Sequence, residues 1–165
     1  MVQKKICLLG AFAVGKTSLV SRFVDSMFSE KYHTTIGVCI DKKSLQVEGQ
    51  EWHLVVWDLA GEDEFLQIRM SYLRGSAGYL LVADGTRRAT FDAALAIRRR
   101  VQEAIGDVPC VLVLNKSDLA TEWEVADATI ADLATTGWTC LKASAKTGVG
   151  VDEAFRTLVE QIREG

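Results

Sequence analysis

GAFAVGKTS, residues 10–18, is the stretch that decides the architecture of this chain. Gly10 and Gly15 flank four residues and are followed by Lys16 and Thr17. The apolar run Ile6, Cys7, Leu8, Leu9 before it reads as a short strand. Leu19, Val20 and Phe23 after it read as one face of a helix. A glycine-rich turn from strand to helix lets backbone N–H groups converge on an anion at the positive end of the helix. Lys16 adds a charge to that cradle, and Thr17 a hydroxyl suited to Mg²⁺. Phe12 is the odd residue, a benzyl group in a loop that normally carries almost no side chains.

Outward from this loop, apolar runs alternate with helical patterns. Residues 44–47 and 52–57 flank Glu48-Gly49 and predict an antiparallel hairpin. Residues 79–83 and 110–114 are apolar at consecutive positions, as in strands covered on both faces. Ile97, Val101, Ala104 and Ile105 share one face of a helix, with Arg98, Arg99 and Arg100 pointing elsewhere. Ala126, Ile130, Leu133 and Ala134 predict another helix, residues 138–143 a last strand, and Val151, Ala154, Phe155, Leu158, Val159 and Ile162 a final amphipathic helix. Residues 26–36 are polar and interrupted and read as a loop. The alternation makes an α/β fold with a mostly parallel sheet and helices on both faces. In such folds ligands bind beyond the carboxyl ends of the strands.

The chain has 165 residues, room for one well-buried core, so 1–165 is expected to be a single domain. A net charge of −3 gives no general attraction to nucleic acid or to an anionic membrane. Arg87-Arg88 and the Arg98 cluster read as solvated surface. No apolar run nears the roughly 20 residues of a membrane span. Cys7, Cys39, Cys110 and Cys140 are widely spaced and read as reduced residues of a cytoplasmic protein. The terminal REG carries no prenylation box, so either there is no lipid anchor or one lay beyond this stretch, and membrane association is expected only if a C-terminal tail has been removed.

Three further motifs each follow a strand. WDLAG, residues 57–61, offers Asp58 for Mg²⁺ through water and the Gly61 N–H for a terminal phosphate. NKSD, residues 115–118, sets a carboxylate, Asp118, where it can accept from two neighbouring N–H donors of guanine; adenine would leave it unpaired. SAK, Ser144-Ala145-Lys146, follows the final strand and backs the same base through a main-chain N–H. Singly, each could be an ordinary turn. Together and in this order they specify a site.

With these motifs, and with TTIGV (34–38) and Tyr72-Leu73-Arg74-Gly75, the whole chain resembles the Ras-like small GTPases, and the Rab branch most. The resemblance implies a three-layer P-loop NTPase (small G protein) fold with a six-stranded, mostly parallel sheet, one antiparallel edge strand and about five helices. It implies a molecular switch that binds GTP and GDP and hydrolyses GTP slowly with Mg²⁺. Lys16 and the N–H groups of Ala13, Val14, Gly15, Thr17 and Ser18 would hold the phosphates. Thr17 and Thr35 would ligate Mg²⁺, with Asp58 reaching it through water. Phe28 would lie against guanine, Tyr32 would close over the phosphates, and Asn115, Lys116, Asp118, Leu119, Ser144, Ala145 and Lys146 would surround the base. Residues 30–40 and 60–75 would be switch segments that meet effectors, exchange factors and GTPase activators. Ile40, Trp57 and Tyr72 fall where Rabs carry an aromatic partner-reading triad. Ile40 departs from it, and Trp57 and Tyr72 read equally well as core packing.

Two departures touch hydrolysis. Family members usually have a small residue at the position of Phe12, whose ring would crowd the γ-phosphate rim and an incoming arginine finger. Glu62 stands in place of the water-positioning glutamine. A carboxylate accepts a hydrogen bond from water but donates none to the phosphoryl oxygens, and it adds negative charge where negative charge builds. Two alternatives stay open for Glu62: a general base, or a residue of a mobile loop with no catalytic part. Besides the GTP-hydrolysing switch, a GTP-loaded scaffold that hardly turns over fits these residues. An ATPase or small-molecule kinase is disfavoured by NKSD and by the lack of a lid or substrate domain.

Overall fold

The computed structural model describes residues 1–24, 31–33, 38–59 and 70–165, with 31–33 and Met70 described through their backbone. Seven strands form one sheet: β1 (Val2–Gly10), β2 (Lys31–His33), β3 (Cys39–Val47), β4 (Gln50–Asp58), β5 (Ser76–Asp84), β6 (Cys110–Asn115) and β7 (Thr139–Lys142). Their order is β2-β3-β4-β1-β5-β6-β7. The four α-helices among the described residues are α1 (Lys16–Val24), α2 (Arg88–Ile105), α3 (Asp127–Thr135) and α4 (Val151–Glu164).

The expected plan holds, with differences of count and extent. β1, β4, β5, β6 and β7 run parallel, and β3 is antiparallel to β4. The strand β2 falls where the sequence reads as loop; it pairs Lys31, Tyr32 and His33 against Asp41, Ile40 and Cys39 of the long hairpin. Three residues carry no readable period of their own, so a neighbour's free edge, not local pattern, makes this strand. The hairpin turn has Glu48 at φ 48 and Gly49 at φ 79, the left-handed pair that suits the twist of the flanking strands.

Burial follows position in the sheet. β3 alternates buried Asp41, Leu45 and Val47 with exposed or half-buried neighbours. β5 and β6 sit inside the sheet between helices, and every residue from Gly78 to Asp84 and from Cys110 to Asn115 is buried. The period of two divides these side chains between two cores. Ile6, Leu8, Leu80, Val82, Val111 and Val113 pack toward α1 and α4. Cys7, Leu9, Leu81, Ala83, Leu112 and Leu114 pack toward α2. Phe23 of α1 and Phe155 of α4 stack with centroids 3.8 Å apart and planes within 2°. On the opposite core, α2 buries Phe91, Ala94, Ile97 and Val101.

The chain leaves the sheet at the carboxyl ends of β1, β4, β5, β6 and β7, marked by Gly10, Asp58, Asp84, Asn115 and Lys142. β1 lies between β4 and β5, where the strand order reverses, which puts the segment after it at the switch point of the sheet. No helix among the described residues is long and apolar enough to cross a membrane.

Candidate functional site

The turn after β1 is shaped by two close approaches. A Cβ on Gly10 would lie 2.4 Å from the Val82 carbonyl oxygen, and one on Gly15, at φ +97, 2.2 Å from Asn115 Nδ2. Only glycine fits either place. Ala13 is also left-handed, at φ 59, an uncommon conformation for a residue with a side chain. α1 starts at Lys16, whose side chain is 6% exposed. Its ammonium donates to the carbonyls of Gly10 (2.9 Å) and Ala11 (3.1 Å). Burial lowers the ammonium's pKa, with the Asp58 carboxylate pulling the other way. Thr17 Oγ1 donates to Asp58 Oδ2 at 2.7 Å, so the hydroxyl from one motif and the carboxylate from the other stand side by side. Adjacent hard oxygens of this kind suit Mg²⁺.

Phe12, Ala13, Val14, Gly15, Lys16, Thr17 and Ser18 line a cavity of about 250 Å³. Phe12 is 60% exposed, so its ring is at the surface and not in the core. A second cavity, about 450 Å³, shares Gly15 and Ser18 and continues between Asn115, Lys116, Asp118, Leu119, Ala145 and Lys146. The two form one trough across the carboxyl ends of β1 and β6. Three motifs far apart in sequence therefore meet as expected.

Asn115 joins its two halves. Its amide nitrogen donates to the Val14 carbonyl at 2.9 Å, and its amide oxygen accepts from the Ala145 N–H at 3.1 Å. Beside it, Ser144 Oγ donates to Asp118 Oδ1 at 2.7 Å and accepts from the Thr147 N–H at 3.1 Å. The carboxylate of Asp118 is thus held by one side of the trough while the residue itself stays exposed.

One part of the site is not legible in the motifs. Asp84, at the end of β5, is 1% exposed. It accepts from the N–H and hydroxyl of Thr86 (2.9 and 2.6 Å) and pairs with both Lys116 Nζ (2.8 Å) and Arg87 Nε (3.0 Å). Burial would raise its pKa, but the bonds from Lys116, Thr86 and Arg87 outweigh it and hold the carboxyl down at about 2. Arg87 also donates to the Phe12 carbonyl at 2.9 Å, and Lys116 to the Ala13 carbonyl at 3.3 Å. Arg87 is at the surface as read, with its side chain 44% exposed, but it is not merely solvated: the guanidinium is bound at both ends. Phe28, Thr35, Gly61 and Glu62 lie outside the described residues, as does the side chain of Tyr32.

Residues 5–164 match the Ras family. The chain belongs to the Ras family. Its relatives stand on the Rab and Ypt branch. It is 38% identical to "Ras-related protein RABA2d" of Arabidopsis thaliana over 160 residues, 96% of this chain and 74% of that protein. It is 35% identical to "Ras-related protein Rab-12" of Mus musculus over 161 residues, 96% of this chain and 66% of the relative. It is 36% identical to "GTP-binding protein ypt2" of Schizosaccharomyces pombe over 162 residues, 97% and 81% respectively. The chain thus spans about two thirds to four fifths of the length of these relatives.

In this Ras-family fold the three positions of the Rab triad come together. Ile40 is in register with Trp57 across β3 and β4. Lys5 lies over the Trp57 ring at 3.8 Å from its centroid and donates to the Tyr72 carbonyl at 2.6 Å. All three residues are half-buried against the α2-side core, so neither pure packing nor full exposure describes them.

Proposed function

We propose that this chain is a guanine-nucleotide switch, a single GTPase domain over 1–165 that binds GTP and GDP with Mg²⁺ and hydrolyses GTP slowly. Support comes above all from the buried Asn115 link, which ties the turn after β1 to the SAK segment and so makes one continuous trough out of a phosphate-sized cradle and a base-sized pocket.

In this reading the N–H groups of Ala13, Val14, Gly15, Lys16, Thr17 and Ser18 face the phosphates, and the Lys16 ammonium exchanges its two carbonyl partners for phosphate oxygens. Thr17 and Thr35 hold Mg²⁺, with Asp58 behind; the ion supplies charge neutralisation on the phosphates. Asp118 accepts from the guanine N–H groups with Ser144 fixing its direction, and Ala145, Lys146, Leu119 and Lys116 enclose the base with Phe28. Tyr32, Thr35 and Gly61 belong to segments 30–40 and 60–75, through which effectors, exchange factors and activators would read the nucleotide. The site of action in this reading is cytoplasmic.

Phe12 and Glu62 slow the chemistry. In this reading the ring of Phe12, an exposed residue of the cradle's lining, crowds the rim where an attacking water or an activator's arginine has to enter. Glu62 cannot donate to the phosphoryl oxygens, and its charge opposes the transition state. Intrinsic hydrolysis is expected at or below the unassisted Ras level of roughly 3–5 × 10⁻⁴ s⁻¹. The exposed ring equally favours a second reading, a GTP-loaded scaffold that hardly turns over. The nucleotide carried by purified protein, followed over hours with Mg²⁺, tests both. Bound guanine nucleotide with slow conversion is expected; protein that ignores guanine nucleotides would end the proposal, and a tenfold faster rate would end its account of Phe12 and Glu62.

A further inference from the structure

Asp84 and Arg87 belong to none of the motifs, yet they bind the turn after β1 from outside. The buried Asp84 carboxylate holds two cations, and each cation donates to a carbonyl of that turn: Arg87 to Phe12 and Lys116 to Ala13. These carbonyls are consecutive. Turning both outward onto cations obliges the following N–H groups to face the other way, into the cradle. It also opposes relaxation of Ala13, whose left-handed φ of 59 is a strained conformation that persists only where the surroundings over-determine it. Lys116 is itself left-handed, at φ 71, which helps bring its stem back toward the turn.

We infer that Asp84 and Arg87 are positioning residues for phosphate: with Lys116 they form an ionic clamp that presets the outward carbonyls, and hence the inward N–H groups, of the turn after β1. The inference rests on the reading of that turn as a phosphate cradle. The clamp touches no part of the base pocket except through Lys116, so Arg87 governs phosphate retention and not guanine selection. Arg87 bridges 75 positions of sequence to reach Phe12. The backbone carbonyl is its target, so the benzyl side chain can vary without breaking the clamp.

Arg87→Ala removes a charge-assisted bond of a type whose loss corresponds to about a tenfold change. GDP dissociation with Mg²⁺ present should quicken by about that factor, while competition by guanosine, which lacks phosphate, changes less than about twofold. Arg87→Lys, which keeps the charge, should recover part of the loss. Arg88→Ala, whose guanidinium turns to Asp92 at 3.3 Å, should behave as the parent. Amide hydrogen exchange in nucleotide-free protein gives a readout independent of nucleotide binding. Exchange over residues 12–16 should accelerate about tenfold in Arg87→Ala, with the rest of the sheet unchanged. If the parent binds no guanine nucleotide, the proposed function fails and the exchange data still judge the clamp. Unchanged exchange over residues 12–16 would overturn it, and so would equal losses for GDP and guanosine.

Discussion

Replacing Asn115 with alanine tests whether the trough is one mechanical unit. Asn115 is 2% exposed and makes two bonds, 2.9 Å to the Val14 carbonyl and 3.1 Å from the Ala145 N–H. Truncation leaves an acceptor and a donor without partners in a buried place, at about 1–3 kcal/mol for each group. Water entering the vacated space would recover part of this, so the expected loss is about 3 kcal/mol. For a chain of this size that corresponds to a fall in melting temperature of about 6–12 °C. Urea denaturation of nucleotide-stripped protein is the direct assay, because no ligand then adds its own stabilisation. Asn115→Asp is the second arm. It keeps an acceptor for the Ala145 N–H but turns a carboxylate oxygen onto the Val14 carbonyl, so at neutral pH it should be at least as damaging as alanine. A loss below about 0.5 kcal/mol for Asn115→Ala, or a stable Asn115→Asp, would refute the claim that this side chain joins the two halves.

Other outcomes follow from single features. Phe12→Gly should speed single-turnover GTP hydrolysis, most clearly with an arginine-supplying activator; equal rates in both settings would show that the ring does not obstruct the mouth. Asp84, held at about 2 against an ordinary 3.8, contributes stability that is complete above about pH 4 and is lost as pH falls toward 2. The stability gap between parent and Asp84→Asn should therefore shrink by roughly 2 kcal/mol over that window, and a constant gap would contradict the depressed pKa. Gly85→Ala would put a Cβ 2.1 Å from two atoms of the Trp123 indole, a rigid ring, and should cost about 1–3 kcal/mol in denaturant titrations. In a Trp123→Ala background the same change should cost little; an undiminished penalty would mean the strain lies elsewhere.

What the sequence reveals is what lies contiguous in it. The residues of GAFAVGKTS, NKSD and SAK each sit within a few positions, and each follows a strand whose apolar run is plain, so their convergence at the strand ends could be read in advance. The strands themselves extend beyond those runs. β1 starts at Val2 and carries exposed Gln3 and Lys4, because pairing with β4 continues where burial has stopped. β2 left no trace because its order comes from Asp41, Ile40 and Cys39 opposite. The bonds that tie down the exposed Arg87 escaped notice for a related reason. An arginine after a strand looks like surface until the Phe12 carbonyl arrives from the other end of the chain.

The ends of the sheet have a consequence for solubility. β5 and β6, wholly apolar over much of their length, are the segments best able to recruit another chain, yet both are flanked on each side by a partner strand. Among the described residues the outermost strands are β2, of three residues, and β7, of four, but β2 covers only residues 39–41 of β3, so 42–47 of that strand form an edge as well. β2 and β7 offer few backbone bonds to an incoming strand, and the uncovered part of β3 carries Lys42 and Lys43, charges of the kind that blunt an edge. Self-association through strand addition is thereby discouraged in the folded molecule, and the hazard is confined to the interval before the central strands are covered.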